Sequence, residues 1–240
     1  MPAPRPAAIP AAEVVDEFAR FGIRAFTTGR EAGSFGTVGD EPVGTVMGRW
    51  DALRAMLASG GPRLATARQV HGARVILHRE GWEGWLRAGD ADGHLALERG
   101  TAMAVSVADC VPVFLAHPGG ATAVLHSGWR GTEARIVEAA VAVLAQHGIP
   151  AGELLLHLGP AICGRCYEVS PDVYARLTGR SVDRPAPVDL RALIAGQARG
   201  QGVRHISTSP LCTRCDNRLL YSHRCGDAGR QLGVVQAPLP

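Results

Sequence analysis

The segment from residue 108 to residue 131, ADCVPVFLAHPGGATAVLHSGWRG, restricts the fold more than any other stretch of the chain. Its two apolar runs, 111–116 and 121–125, are too short and too rich in β-branched residues for helices, and the Pro118-Gly119-Gly120 tract between them favours a reversal. They read as paired antiparallel strands. Cys110 precedes the first and His126 follows the second, so pairing carries both side chains to one end of a sheet. A long apolar stretch follows, and the helix expected over 132–147 takes Thr132 as N-cap and Gly148 as stop.

Around this hairpin, strands are expected near 22–28, 69–78, 93–97, 102–107, 153–158, 203–207 and 231–236, and helices near 45–59, 170–178 and 187–199. Several strands succeed one another without a helix between them, which argues for mixed pairing. At 240 residues and 46% apolar content the chain is long enough for one full core. The expected fold is α/β: a single domain over 13–240 with a mixed β-sheet flanked by helices, preceded by a flexible Pro/Ala lead over 1–12.

All 25 basic residues are arginine. Without lysine there is no Schiff-base, P-loop or kinase-type chemistry, and any phosphate must be held by arginine or by a helix N-terminus. A net charge of +3 with no basic run interleaved with aromatics gives no expectation of a nucleic-acid partner. No apolar stretch is long enough to span a membrane, and prolines interrupt the first twenty residues where a signal peptide would need continuity, so a cytoplasmic location is expected. There the six cysteines stay reduced, which favours metal or catalytic roles over a disulfide framework.

Upstream, RQVHGARVIL at 68–77 contains His71. His71, Cys110 and His126 form a Cys/His/His set with two physical uses. Three such ligands hold zinc or copper with an open position, or a neighbouring imidazole activates a thiolate; residue types alone leave both open. Arg130 lies in the turn after His126, where it either binds an anion beside backbone N–H groups or pairs with Asp92 or Asp109.

These residues sit in stretches that resemble the YfiH-like family, whose members have been described as laccase-domain or multicopper polyphenol oxidase proteins, peptidoglycan editing factors and purine nucleoside phosphorylases. The matching stretches are QVHG at 69–72, DADG at 90–93, ADCVPV at 108–113, HSGWRG at 126–131, GPAI at 159–162, CYEV at 166–169, CTRC at 212–215, YSHR at 221–224 and AGR at 228–230. The resemblance implies a YfiH-like, cysteine-hydrolase-like fold and a catalytic metal site of His71, Cys110 and His126, with zinc as the cofactor and copper as the alternative. It implies purine nucleosides and phosphate as small-molecule partners: phosphorolysis of adenosine, inosine, guanosine or methylthioadenosine to base and ribose 1-phosphate, and deamination of adenosine. The N-terminal third departs from the family, reading FTTGREAGSFG at 26–36 and GRW at 48–50, so Arg30 and Arg49 are carried over only as weak substrate-binding candidates.

Other readings compete. Copper-dependent phenol oxidation needs several metal centres, and the nine histidines include no H-x-H pair. A cysteine-dependent amidase acting in peptidoglycan precursor editing would use Cys110 as nucleophile; a non-enzymatic metal-binding protein would use the same set without turnover. His78-Arg79-Glu80 has the H-x-E form of zinc deaminases, but neither CxxC pair follows a proline as that signature requires. Those pairs, Cys163/Cys166 and Cys212/Cys215, lie too far apart for a zinc ribbon, and no structural zinc is expected from them.

Overall fold

Residues 9–37, 39 and 41–240 are described by the computed structural model of the protein. In chain order the strands are β1 (Ala11–Val14), β2 (Arg24–Thr28), β3 (Arg63–Arg68), β4 (Val75–His78), β5 (Gly84–Asp90), β6 (Gly93–Ala96), β7 (Thr101–Val107), β8 (Val111–Ala116), β9 (Thr122–Ser127), β10 (Leu155–Leu158), β11 (Glu168–Val169), β12 (Ala186–Pro187), β13 (His205–Thr208) and β14 (Gln231–Gln236). The helices are α1 (Asp16–Ala19), α2 (Val43–Leu57), α3 (Trp129–Glu133), α4 (Ile136–Gln146), α5 (Pro171–Thr178) and α6 (Leu190–Gly200).

Mixed pairing flanked by helices is what forms, divided between two six-stranded sheets ordered β1-β2-β14-β7-β3-β5 and β13-β10-β8-β9-β6-β4. Period-two alternation explains the layering. On β7, Met103, Val105 and Val107 join Phe114 of β8 and Val124 of β9 in a core between the sheets. Ala102 and Ala104 of β7 face the other way, onto Trp50, Leu53 and Leu57 of α2. Val111, Val113 and Leu115 of β8 likewise face outward onto α4, whose Ile136, Val137, Ala140, Val141 and Leu144 make one apolar face. Two sheets lie between two helical layers, and both faces of β8 are buried. Hence the continuous apolar run, which alternation would have broken in a strand with one wet face.

Several expectations need correction. Ala11 and Ala12 of the expected lead begin β1, which pairs with β2; residues 1–8 of that lead lie outside the described residues. The strand expected over 69–78 is confined to β4, because residues 69–74 form a loop, and β3 and β5 had no forecast. The helix expected over 132–147 is broken. Thr132 does not cap it: its hydroxyl shares a hydrogen bond of 3.0 Å with Ser127 Oγ, α3 starts earlier at Trp129, and Arg135 is left-handed (φ 59°) before α4 begins. No described helix is long and apolar enough to cross a membrane.

Candidate active site

The β8–β9 register pairs Val111 with Ser127 and Pro112 with His126. Cys110 and His126 therefore meet at one end of the second sheet, and His71 approaches from the loop between β3 and β4. One ligand atom from each of the three lies within 4.8 Å of those of the other two. The imidazoles of His71 and His126 meet edge to face, with ring centroids 4.8 Å apart. Gly128 permits the approach: a Cβ there would stand 2.8 Å from Cys110 Sγ.

Asp92, fully buried between β5 and β6, organises the cluster. Its Oδ1 accepts from His126 Nδ1 at 2.8 Å and from the backbone N–H of His71 at 2.9 Å, while Oδ2 accepts from Val70 N–H and Gly72 N–H at 3.1 and 2.7 Å. One carboxylate thus orients the His126 ring and holds the loop on which His71 takes a left-handed φ of 60°. Burial pushes the Asp92 carboxyl up, but the His126 and backbone donors outweigh it and hold it below its ordinary value. With Nδ1 engaged, His126 directs Nε2 toward Cys110 and His71.

The thiol and imidazole perturb each other. Burial alone would raise Cys110, yet the two histidines pull it down to about 6; burial would lower His126, yet Cys110 and Asp92 push it up to about 9. Each group thus favours the charged form of the other. Asp109, left-handed at φ 80°, sets the position of Cys110. Its Oδ1 accepts from Thr213 Oγ1 and Ser222 Oγ at 2.5 and 2.8 Å, and its Oδ2 from Arg224 N–H at 2.7 Å.

A cavity of about 520 Å³ opens over the cluster, within the size range of small-molecule sites. His71, Cys110 and His126 line it together with Trp129, Arg130, Tyr167, His223, Arg224 and Arg230. Arg130 stacks on Trp129 at 4.3 Å and Arg224 on Tyr167 at 4.8 Å. Among the described residues Arg130 forms no ion pair: Asp92 and Asp109, the carboxylates considered for it, are filled by the donors above. Arg230 donates to the backbone carbonyls of Asp227, Ala228 and Gly229. Arg30 and Arg49 are absent from the lining. Arg30 pairs with Asp227 at 2.5 Å and Arg49 with Glu41, so the structure gives neither a place in this cavity.

Asp92, Tyr167, Arg224 and Arg230 escaped the reading of the sequence as site residues. Each falls inside a stretch quoted for the resemblance, DADG, CYEV, YSHR or AGR, and that was the available signal. His78 of the H-x-E triplet lies elsewhere, buried against His94 with Nε2 2.9 Å from His94 Nδ1. The separation in sequence that argued against joining the CxxC pairs does not carry into space. Sulfur atoms of Cys163, Cys166, Cys212 and Cys215 all lie within 4.8 Å of one another, although the pairs are 49 residues apart.

Comparison with known proteins places these features in context. A family model described as multi-copper polyphenol oxidoreductase laccase matches residues 33–238. A protein of Streptomyces coelicolor named a purine nucleoside phosphorylase is 35% identical over 209 residues, covering 83% of this chain and 85% of its own. One from an unknown prokaryotic organism named an adenosine deaminase is 33% identical over 185 residues, covering 67% of this chain and 69% of its own. Among solved structures, the Bacillus licheniformis hypothetical protein YfiH superimposes with a TM-score of 0.83 at 21% identity, covering 95% of this chain and 96% of that one.

Proposed function

Because the chain belongs to the YfiH-like family, which the multi-copper polyphenol oxidoreductase laccase model describes, we propose that it is a purine nucleoside phosphorylase with adenosine deaminase activity, acting at His71, Cys110 and His126. One observation carries the reading: a single cavity joins a His/Cys/His cluster to three arginines and two aromatic rings. Those parts match an anion beside a flat heterocycle. The names of the relatives from Streptomyces coelicolor and the unknown prokaryote support it from outside.

The cluster suits a metal ion by the chemistry of its donors. Two imidazoles and a thiolate converge, and Asp92 keeps the proton of His126 on Nδ1, which leaves the Nε2 lone pair free to coordinate. We assign zinc, with copper as the alternative that the same soft donors accept. When bound, the metal supplies Lewis-acid charge and raises the acidity of water in the cavity. His71, Cys110 and His126 would hold it with three protein ligands, the number typical of catalytic rather than structural zinc.

In phosphorolysis a phosphate oxygen bonds to C1′ of the ribose, the C1′–N9 bond breaks with its electron pair on the purine, and the purine takes up a proton. Arg130, Arg224 and Arg230, permanently charged, hold the phosphate, and Trp129 and Tyr167 offer the flat apolar surface a purine needs. In deamination adenosine and water give inosine and ammonia in the same cavity. A second reading rests on a specific contact: Cys110, His126 and Asp92 also stand in the order nucleophile, base and orienting carboxylate of a cysteine hydrolase.

The deciding assay measures adenine release from adenosine by metal-defined protein, with and without phosphate. We expect release that depends on both phosphate and metal, and loss of metal and turnover together in His71→Ala, Cys110→Ala and His126→Ala. Full activity after chelation, abolished only by alkylation of Cys110, would turn the assignment to the hydrolase. Phosphate-independent behaviour would remove the phosphorylase.

A further inference from the structure

Cys163, Cys166, Cys212 and Cys215 contribute nothing to the lining of the cavity, yet they form the second convergent set of metal donors among the described residues. We propose that they make a closed tetrathiolate zinc site that clips together the two loops behind the cavity wall. Strand pairing assembles it. β10 and β13 are parallel neighbours with Leu158 opposite Thr208, so the loops leaving their C-terminal ends run side by side, joined by the bridge Ala161–Cys212.

Four sulfurs around zinc at about 2.3 Å stand about 3.8 Å apart. Here Cys166 Sγ and Cys215 Sγ are 3.5 Å apart, and all four lie within 4.8 Å. Cys212 Sγ accepts two backbone N–H groups, from Cys163 at 3.2 Å and Cys215 at 3.5 Å, an arrangement that stabilises anionic sulfur. Zinc with four thiolates leaves a net negative charge, and exposed Arg165 and Arg214 flank it, Arg214 also donating to Cys166 O at 3.4 Å. A disulfide between Cys166 and Cys215 would use two of the four sulfurs and leave the donors to Cys212 without purpose. The site reaches the active centre through the backbone: Tyr167 follows Cys166, Ile162 N–H donates to Asp109 O, and Thr213 bonds the Asp109 carboxylate.

The test separates this zinc from any metal at the cavity by using the full chain carrying His71→Ala and His126→Ala. Grown with zinc, it should retain about one tightly held zinc per chain, and cobalt in its place should show the charge-transfer bands of four thiolates. Adding Cys163→Ser and Cys215→Ser should abolish both. In the unsubstituted protein, which needs no variant to fold, peptide mapping after alkylation should find Cys163, Cys166, Cys212 and Cys215 shielded together. Exposed Cys225 should react throughout, and the four should become reactive together once zinc is removed. Four thiols that react as freely as Cys225 in zinc-loaded protein, zinc that survives the double serine substitution, or a Cys166–Cys215 disulfide recovered from cells lysed into alkylating agent would each overturn the proposal.

Discussion

Asp92 shows how much one buried carboxylate can position. It satisfies three consecutive backbone N–H groups and the His126 ring at once, so Asp92→Asn both removes the charge that favours the cluster and turns an amide N–H toward those donors. We expect metal affinity to fall roughly 10- to 100-fold, read by competition with a coloured chelator, with turnover falling in parallel. An unchanged affinity would show that the loop and ring hold themselves. Arg130 separates binding from chemistry. Among the described residues its guanidinium has no carboxylate partner, so Arg130→Ala should raise the KM for phosphate roughly tenfold or more while metal content stays constant. Steady-state kinetics at varied phosphate would settle it. At this scale the sequence was informative for residue type and weak for partnership: Arg130 stood out, but whether Asp92 would pair with it or with His126 depended on a loop trajectory that local pattern does not encode.

Among the elements, the hairpin β8–β9 joins the two kinds of work the chain does. Its outward side chains anchor α4, its inward Phe114 meets Met103 and Val105 of the other sheet, and its end carries Cys110 and His126. Phe114 has no exposed surface, and its ring lies against Gly159 and Gly233, where an added Cβ would stand 3.0 Å from it. Phe114→Ala should cost about 3–5 kcal/mol, measured as a shift in denaturant midpoint without a change in slope, because the sheets cannot collapse into the void without moving the hairpin. The hairpin was legible because composition, turn residues and run length agreed. The break between α3 and α4 was not: its apolar periodicity continues across Arg135, and only the tie between Ser127 and Thr132 and the left-handed Arg135 interrupt the helix.

For the molecule as a whole, the buried pair His78 and His94 predicts acid sensitivity. Burial pushes His78 down to about 4, and burial followed by the neighbouring His78 pushes His94 down to about 3, so both are neutral in the folded state near neutral pH. An unfolded histidine titrates near 6.5, and between that value and about 4 the unfolded chain binds protons that the folded chain refuses. Stability contributed by the pair is therefore fully present above about pH 6.5 and lost as pH falls toward 4. Chemical denaturation across that interval should show the loss, and His78→Gln with His94→Gln should flatten its slope. An equally steep slope in the variant would assign the acid sensitivity to carboxylates instead.

By itself the sequence determined the α/β class and the hairpin, because these follow from apolar run length, β-branched content and turn chemistry over a few residues. It also singled out His71, Cys110 and His126 as residue types able either to hold a metal or to activate a thiolate. Only the tertiary structure decided what meets what. The division into two sheets depends on pairing between distant strands, and Asp92 reaches His126 because β6 lies beside β9. The four cysteines converge because the parallel pairing of β10 with β13 needs a long crossover, which separates in sequence the loops it unites in space.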